Sequence, residues 1–239
     1  MCQDCGCGDV NLVPLDVQQR ILARNDHTAE HNRAHFRDHG LFAVNLMGSP
    51  GSGKTAVLEA TARFVSGNHL AAVAGDLATD NDAARLQAAG IRSKAITTGQ
   101  ACHLDAEMVH HALHHFDLSG VKYFFIENVG NLVCPAVYDL GQAVNVVALS
   151  IAEGEDKPLK YPTMFAKADL VLLTKVDLAV HLPRVNLNRI YDSIARVMPD
   201  PQVISLAAYE SVGIQRWIDW LDEKRETFIA PQLVGEVTL

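Results

Sequence analysis

Residues 41–55 read Leu-Phe-Ala-Val-Asn-Leu-Met-Gly-Ser-Pro-Gly-Ser-Gly-Lys-Thr. The apolar run Leu41–Met47 has the length and composition of a buried strand. It stops at Gly48, and a helix is expected from about Lys54. Between them Gly48, Ser49, Pro50, Gly51, Ser52, Gly53, Lys54 and Thr55 complete the pattern G-x-x-x-x-G-K-T, in the strand–loop–helix setting that the pattern requires. The glycines let backbone N–H groups curl around phosphate oxygens, and the helix N-terminus adds the positive end of its dipole. Lys54 is then expected on the β- and γ-phosphates, and the Thr55 hydroxyl on Mg²⁺. A glycine-rich turn with no ligand would not need all eight positions and both flanks to agree.

Outward from this loop the chain alternates in one rhythm. Apolar runs at Leu70–Ala74, Ser93–Thr97, Val121–Ile126, Ala143–Ile151, Leu170–Leu173 and Val203–Leu206 read as strands. Helices are expected over Asp80–Ala89, His103–Phe116, Arg184–Val197 and Gly213–Glu223, with a leading helix over residues 15–38 stopped by Gly40. Apolar strands alternating with helices predict an α/β P-loop NTPase fold, a mostly parallel sheet with helices on both faces. Ligands of such sheets bind at the carboxyl ends of the strands, where the notable polar residues of this chain fall. Residues 1–14 read as an N-terminal cysteine-bearing extension and 15–239 as the P-loop domain.

Hydrophobic residues make up 49% of the 239 residues and charged residues 20%, ordinary values for a folded domain with a full core. The net charge of −8 argues against nucleic acid or an anionic membrane as the main partner. No run is long and apolar enough for a membrane span, and no secretory leader is read at the N-terminus. These readings point to the cytoplasm.

Thr174-Lys175-Val176-Asp177 follows the strand Leu170–Leu173 directly. It is similar to the guanine motif of GTPases, usually Asn-Lys-x-Asp. A carboxylate at Asp177 accepts from both the guanine N1–H and the exocyclic amine, a pair adenine cannot supply. Lys175 would lay its stem along the ring. Thr174 replaces the usual Asn, which is expected to remove one brace of the loop. Ser205-Leu206-Ala207, after the next strand, is a weaker match to a second guanine-contact loop. Two acids at strand tips compete for the Mg²⁺ shell, Asp76 and Glu127. Glu127-Asn128-Val129-Gly130 gives Glu-x-x-Gly, in which the Gly130 N–H is placed to meet the γ-phosphate.

The five cysteines are an odd number and do not suggest a disulfide framework. Cys2, Cys5 and Cys7 lie within one tight turn, and clustered thiolates suit Ni²⁺, Zn²⁺ or Cu⁺. Cys102, His103 and Cys134 sit where two segments leave the carboxyl edge of the sheet. They supply three ligands, one short of a tetrahedral set. By geometry alone, two buried cysteines and a helix-terminal histidine are an equal reading. His27, His31, His35 and His39 recur every four residues and share one helix face. Adjacent pairs have chelate spacing, but a solvated polar face is the plainer reading, also for His110, His111, His114 and His115.

Several stretches together carry a family resemblance: Met-Cys-x-x-Cys-Gly-Cys at the N-terminus, Asn-Leu-x-x-Ser-Pro-Gly-Ser-Gly-Lys-Thr at 45–55, Gly-Asp at 75–76, Thr-Gly-Gln-Ala-Cys-His-Leu-Asp at 98–105, Ile-Glu-Asn-Val-Gly-Asn-Leu-Val-Cys-Pro at 126–135 and Asp-Lys-Pro-Leu-Lys-Tyr-Pro at 156–162. The chain resembles the hydrogenase nickel-incorporation GTPases, the HypB family of SIMIBI-class P-loop NTPases. The resemblance implies a high-affinity Ni²⁺ site at Cys2, Cys5 and Cys7, and a nucleotide-linked Ni²⁺ or Zn²⁺ site at Cys102, His103 and Cys134. It implies a GTP-dependent homodimer and slow GTP hydrolysis that times metal release to the large subunit of a [NiFe]-hydrogenase. A HypA-type nickel protein would be the companion. Lys157 or Lys160 is expected to reach a phosphate across the dimer. Two rival readings are a urease-type metallochaperone GTPase, which the N-terminal cysteines disfavour, and a passive nickel or zinc store with a vestigial phosphate loop.

Overall fold

The computed structural model describes residues 15–99 and 101–235. The N-terminal extension and its Cys2, Cys5 and Cys7 therefore lie outside the described residues. Seven strands form one sheet: β1 (Phe42–Met47), β2 (Leu70–Asp76), β3 (Arg92–Thr97), β4 (Tyr123–Glu127), β5 (Val144–Ser150), β6 (Leu170–Thr174) and β7 (Val203–Ser205). Their order is β3-β2-β4-β1-β5-β6-β7, and every pairing is parallel. Parallel strands need crossover connections, and these carry most of the helices. The helices are α1 (Leu15–Asp38), α2 (Lys54–Phe64), α3 (Asn81–Ala88), α4 (Ala106–Leu113), the short α5 (Lys157–Lys160) and α6 (Pro162–Ala166), α7 (Leu187–Ala195) and α8 (Ile214–Gly235).

Both faces of the sheet are covered, which is why its central strands read as unbroken apolar runs. Val44, Leu46, Val146 and Leu172 face α2, α3 and α8, meeting Leu58, Leu86 and Trp217. On the other face Phe124 and Ile126 meet α1 and α4 through Phe36 and Val109. Met47, Val147 and Leu173 meet α6 and α7 through Phe165 and Ile194. The order reverses direction around β1, so the loop after β1 opens at the sheet's switch point, the place where such folds bind ligands.

One expected boundary moves with consequence. The helix expected from His103 starts at Ala106, because Asp105 caps it: the Asp105 carboxylate accepts from Met108 N at 2.8 Å. His103 is thereby left in the turn before the helix. Two short helices, α5 and α6, were not read from the sequence; each carries a proline in its first turn, where a missing N–H costs nothing. Among the described residues no helix is long and apolar enough to cross a membrane.

Candidate nucleotide and metal site

The loop after β1 closes tightly on itself. Gly48 has φ 148°, and a Cβ there would stand 2.4 Å from the Ala148 carbonyl oxygen, so only glycine fits. Gly53 takes the left-handed conformation as the N-cap of α2. The Lys54 ammonium donates to the carbonyl oxygens of Gly48 and Ser49, both at 3.2 Å. Burial lowers the Lys54 pKa, against the opposing pull of Glu127, Asp82 and Glu153. The Ser49 hydroxyl donates to Glu153, whose other oxygen accepts from Ser150 N, and this ties the loop to the end of β5.

Beside Lys54 the Thr55 hydroxyl lies 2.7 Å from Glu127 Oε1 and 2.9 Å from Asp82 Oδ1. Burial pushes the Glu127 carboxyl up to about 7, over the opposing effects of the Thr55 hydrogen bond and the Lys54 charge. Its second oxygen, Oε2, is buried with no hydrogen-bond partner. A hydroxyl and two carboxylates, one of which keeps an unsatisfied buried oxygen, make an all-oxygen donor set that fits a hard divalent cation. Asp82 was not picked out in the sequence; it stands on the first turn of α3, and only the packing of α3 beside α2 reveals it. Asp76 lines the same cavity, but its carboxylate is turned onto its own loop. It accepts from Ala78 N at 3.0 Å and from Thr79, and these bonds, that from Ala78 first, hold its pKa down. Of the two acids expected to compete, Glu127 is the one at Thr55.

The cavity bounded by Lys54, Thr55, Asp76, Asp82, Glu127 and Gly130 has a volume of about 490 Å³. It adjoins a second, apolar one of about 270 Å³, lined by Ala56, Thr174, Lys175, Asp177, Ala208 and Tyr209. The dimensions and polarity suit a triphosphate and a base, respectively. Lys175 donates to the Gly51 carbonyl at 2.7 Å. Thr174 corrects an expectation: its hydroxyl donates to the Ser52 carbonyl at 2.6 Å, so the braced contact between this motif and the phosphate loop is present without an asparagine. Ser205 and Leu206 also fall elsewhere than expected. Ser205 meets the Tyr191 hydroxyl and Leu206 is fully buried, while Ala208 and the exposed Tyr209 form the wall. Lys157 and Lys160 do not line either cavity; Lys157 lies over the Tyr161 ring and Lys160 pairs with Asp156.

The segment after Glu127 leads directly to the thiols. Gly130 packs against Pro50, where a Cβ would come within 2.8 Å, and Asn131 makes a bridge with Gly48. The Asn131 side chain donates to the Cys102 carbonyl at 3.2 Å. Asn128 accepts from Leu104 N at 3.1 Å and donates to Asn45 on β1. Cys102, His103 and Cys134 converge: their ligand atoms all lie within 4.8 Å of one another, with the two sulfurs 3.0 Å apart. His103 and Cys134 are buried, and the His103 ring stacks on Tyr138 at 3.9 Å. Two thiols and an imidazole fit a borderline ion such as Ni²⁺ or Zn²⁺. Because Asp105 caps α4 and the helix starts only at Ala106, His103 lies in the preceding turn, where it meets Cys134.

A parallel sheet with a G-x-x-x-x-G-K-T loop at its switch point and a Thr-Lys-Val-Asp turn beside it defines a P-loop nucleotide-binding protein. The profile of the CobW/HypB/UreG nucleotide-binding domain matches residues 42–205. Hydrogenase maturation factor HypB of Azotobacter vinelandii is 48% identical over 214 residues, covering 89% of this chain and 70% of that protein. Hydrogenase/urease maturation factor HypB of Helicobacter pylori is 38% identical, covering 91% of this chain and 92% of that protein. The crystal structure of HypB from Helicobacter pylori in complex with nickel superposes with a TM-score of 0.81 at 37% identity, covering 85% of this chain and 96% of that one. HypB from Archaeoglobus fulgidus superposes with a TM-score of 0.78 at 37% identity, covering 85% of this chain and all (100%) of that one. The chain belongs to the HypB family of hydrogenase maturation factors, within the CobW/HypB/UreG group.

Proposed function

We propose that this protein is a slow GTPase that carries nickel to the large subunit of a [NiFe]-hydrogenase in the cytoplasm, and that GTP-dependent pairing of two copies governs when Cys102, His103 and Cys134 hold or release the ion. One observation carries the reading. The segment Glu127–Cys134 touches the phosphate site at one end and holds a metal-ligating thiol at the other, with Gly130 against Pro50 and Asn131 bonded to Cys102 O on the way. A ligand that shifts this segment must change both sites.

GTP enters with its phosphates in the Gly48–Thr55 loop and its base against Asp177 and Lys175. Backbone N–H groups and the Lys54 ammonium, released from its loop carbonyls, neutralise the phosphates. A Mg²⁺ ion held by Thr55 with Glu127, and with Asp82 or Asp76, would supply further charge neutralisation. No side chain is set as a general base, and phosphoryl transfer of this kind needs mainly positioning and charge. Gly130, against Pro50, is placed to follow the γ-phosphate. Lys157 or Lys160 is the candidate to reach across the dimer. Cys2, Cys5 and Cys7 would hold a second, tighter nickel, zinc would compete at the inner cluster, and a HypA-type protein would be the exchange partner. The Helicobacter pylori relative is named for urease as well as hydrogenase.

The test is metal titration with GDP and with a slowly hydrolysed GTP analogue, on the wild type and on Cys102→Ala, alongside GTP turnover of wild type and Lys54→Ala. The reading requires nucleotide-dependent affinity at the inner cluster and turnover that depends on Lys54. Equal affinity in both nucleotide states would overturn the coupling. Absence of Lys54-dependent turnover would favour a passive metal store.

A further inference from the structure

The sequence places two histidine stripes on separate helices, and the fold makes them one. Helix α1 packs against α4, with Phe36, Val109 and Leu113 in a shared core and Asn32 Nδ2 donating to the Ala106 and Leu140 carbonyls. The outer edge of this pair carries a row of imidazoles. His27 and His31 have ring centroids 4.8 Å apart, His110 and His114 4.7 Å, and His35 and His39 4.3 Å, while His35 and His114 join the helices at 6.3 Å.

We infer that this ridge is a transition-metal site separate from the cysteine sites, in which His110 and His114 chelate one borderline divalent ion of the Ni²⁺ or Zn²⁺ class and His35 supplies the third imidazole. The first support is distance. The Nε2 atoms of His110 and His114 are 3.2 Å apart. Two nitrogens about 2.0–2.1 Å from one ion stand ~3.4 Å apart at the tetrahedral angle and ~2.9 Å apart at a right angle. In the metal-free protein this contact is an imidazole–imidazole hydrogen bond, and the spacing it holds falls between the two, so an ion that displaces the shared proton finds both nitrogens in place.

The second support is the tautomer. Both Asn32 amide hydrogens are committed to the carbonyls of Ala106 and Leu140, so its oxygen faces His110 Nδ1 at 3.0 Å and must accept. Nδ1 of His110 is then the protonated nitrogen and Nε2 carries the lone pair, aimed at His114. Metal-bound histidines are usually held in this way by an outer hydrogen bond. The third support is His35, whose Nε2 is buried with no hydrogen-bond partner and which borders an open cavity of about 570 Å³ with His39, His114 and Asp117. Burial and then neighbouring histidines lower the pKa of both His35 and His110, favouring the neutral, ligating form. Among the described residues only Cys102, His103 and Cys134 already bring three donors within 4.8 Å, so the ridge is a two-point chelate with a third ring at hand, a site that loads and unloads readily.

The experiment counts Ni²⁺ bound per chain by equilibrium dialysis near neutral pH, for wild type, His114→Asn, His110→Asn/His114→Asn, and His111→Asn/His115→Asn. Thiolate-to-nickel absorption bands, which an imidazole site does not produce, report the cysteine sites in the same samples and confirm folding. The expected result is one ion fewer for both variants touching His114, with the thiolate bands and GTP turnover unchanged, and no loss for the His111/His115 pair. His114 is exposed, so its single replacement leaves the fold intact. An unchanged count in His114→Asn, or an equal loss in the His111/His115 variant, would overturn the inference. Because the bands are read separately, failure here is distinguishable from failure of the proposed nickel function.

Discussion

The nucleotide cleft and the thiol cluster hang from the same strand ends but are assembled in opposite ways. The phosphate half of the cleft is one contiguous stretch, Gly48–Thr55, whose ligands are largely backbone groups. The cluster joins residues 32 apart, Cys102 and Cys134, and depends on two asparagines to hold its segments together. A contiguous loop carries its geometry in its own φ/ψ angles. A cluster built from two segments takes its geometry from whatever connects them, so it can be altered from a distance. That asymmetry is what a nucleotide-controlled metal site needs.

The bluntest way to break the comparison is to disable one side and watch the other. Lys54→Ala is expected to lower GTP turnover by ~10²–10³-fold, the usual scale for removing a charge stabiliser of the transition state. Metal affinity of the nucleotide-free cluster should stay as it was. In the other direction, Cys134→Ala should abolish thiolate–nickel absorption at the cluster while GTP affinity, measured by fluorescent-nucleotide titration, moves by no more than about twofold. A large loss of GTP binding in Cys134→Ala would mean the two sites are a single unit rather than two linked ones. Asn131→Ala sharpens the same point with neither site's ligands touched. The bond to Cys102 O disappears, and the ratio of metal affinities between GTP-analogue and GDP states should shrink ~10-fold, as for an outer-shell partner.

The same asymmetry explains what was legible in the sequence. The mostly parallel sheet, the phosphate loop and the Thr-Lys-Val-Asp turn could be read because each is signalled by neighbours in the chain. Asp82, Tyr209 and Ala208 could not, since they reach the cleft only through the packing of α3 and of the loop after β7. Asn131, one residue beyond the Glu-x-x-Gly motif, gave no local sign of its bond to Cys102. The placement of His103 was missed by a capping rule: Asp105 starts α4, and an N-cap aspartate was available in the sequence to say so. Ser205 and Leu206 matched a pattern by position after a strand, but the wall of the base cavity lies slightly further along the chain. The histidine stripes were visible singly; their union required the α1–α4 contact.

Glu127 sits at the hinge of the comparison and titrates accordingly. Its carboxyl is pushed up to about 7, above its ordinary value of 4.5, so the folded, ligand-free protein binds a proton that the unfolded chain has lost between those limits. Stability from this group is full below the unfolded value and falls as pH rises toward 7, after which the loss is complete. Thermal melts of nucleotide-free and metal-free protein should therefore show a Tm decline from pH 5 to pH 7 that Glu127→Gln flattens. Mg²⁺ with GTP should shrink the decline, because a cation at the carboxylate replaces the proton. A wild-type slope identical to that of Glu127→Gln would remove Glu127 from the pH response.

The smallest expected effect concerns Thr174, where the two halves of the cleft meet. Its hydroxyl donates to the Ser52 carbonyl from a fully enclosed position, tying the base-reading turn to the phosphate loop. Thr174→Val keeps the shape and removes the donor, leaving Ser52 O without that partner. The expected cost is about 1 kcal/mol, seen as ~5-fold weaker GTP and GDP binding with little change in turnover at saturation. Thr174→Asn restores the residue usual in this motif, but the brace already exists, so no more than about a twofold gain is expected. A gain of an order of magnitude would show that the threonine hydroxyl is a poor substitute for the asparagine and that nucleotide binding depends strongly on this brace. Equal binding by Thr174→Val and wild type would show the opposite, because the phosphate loop would then hold its shape unaided and the contrast between a self-sufficient loop and a dependent cluster would be sharper than the hydrogen bonds suggest.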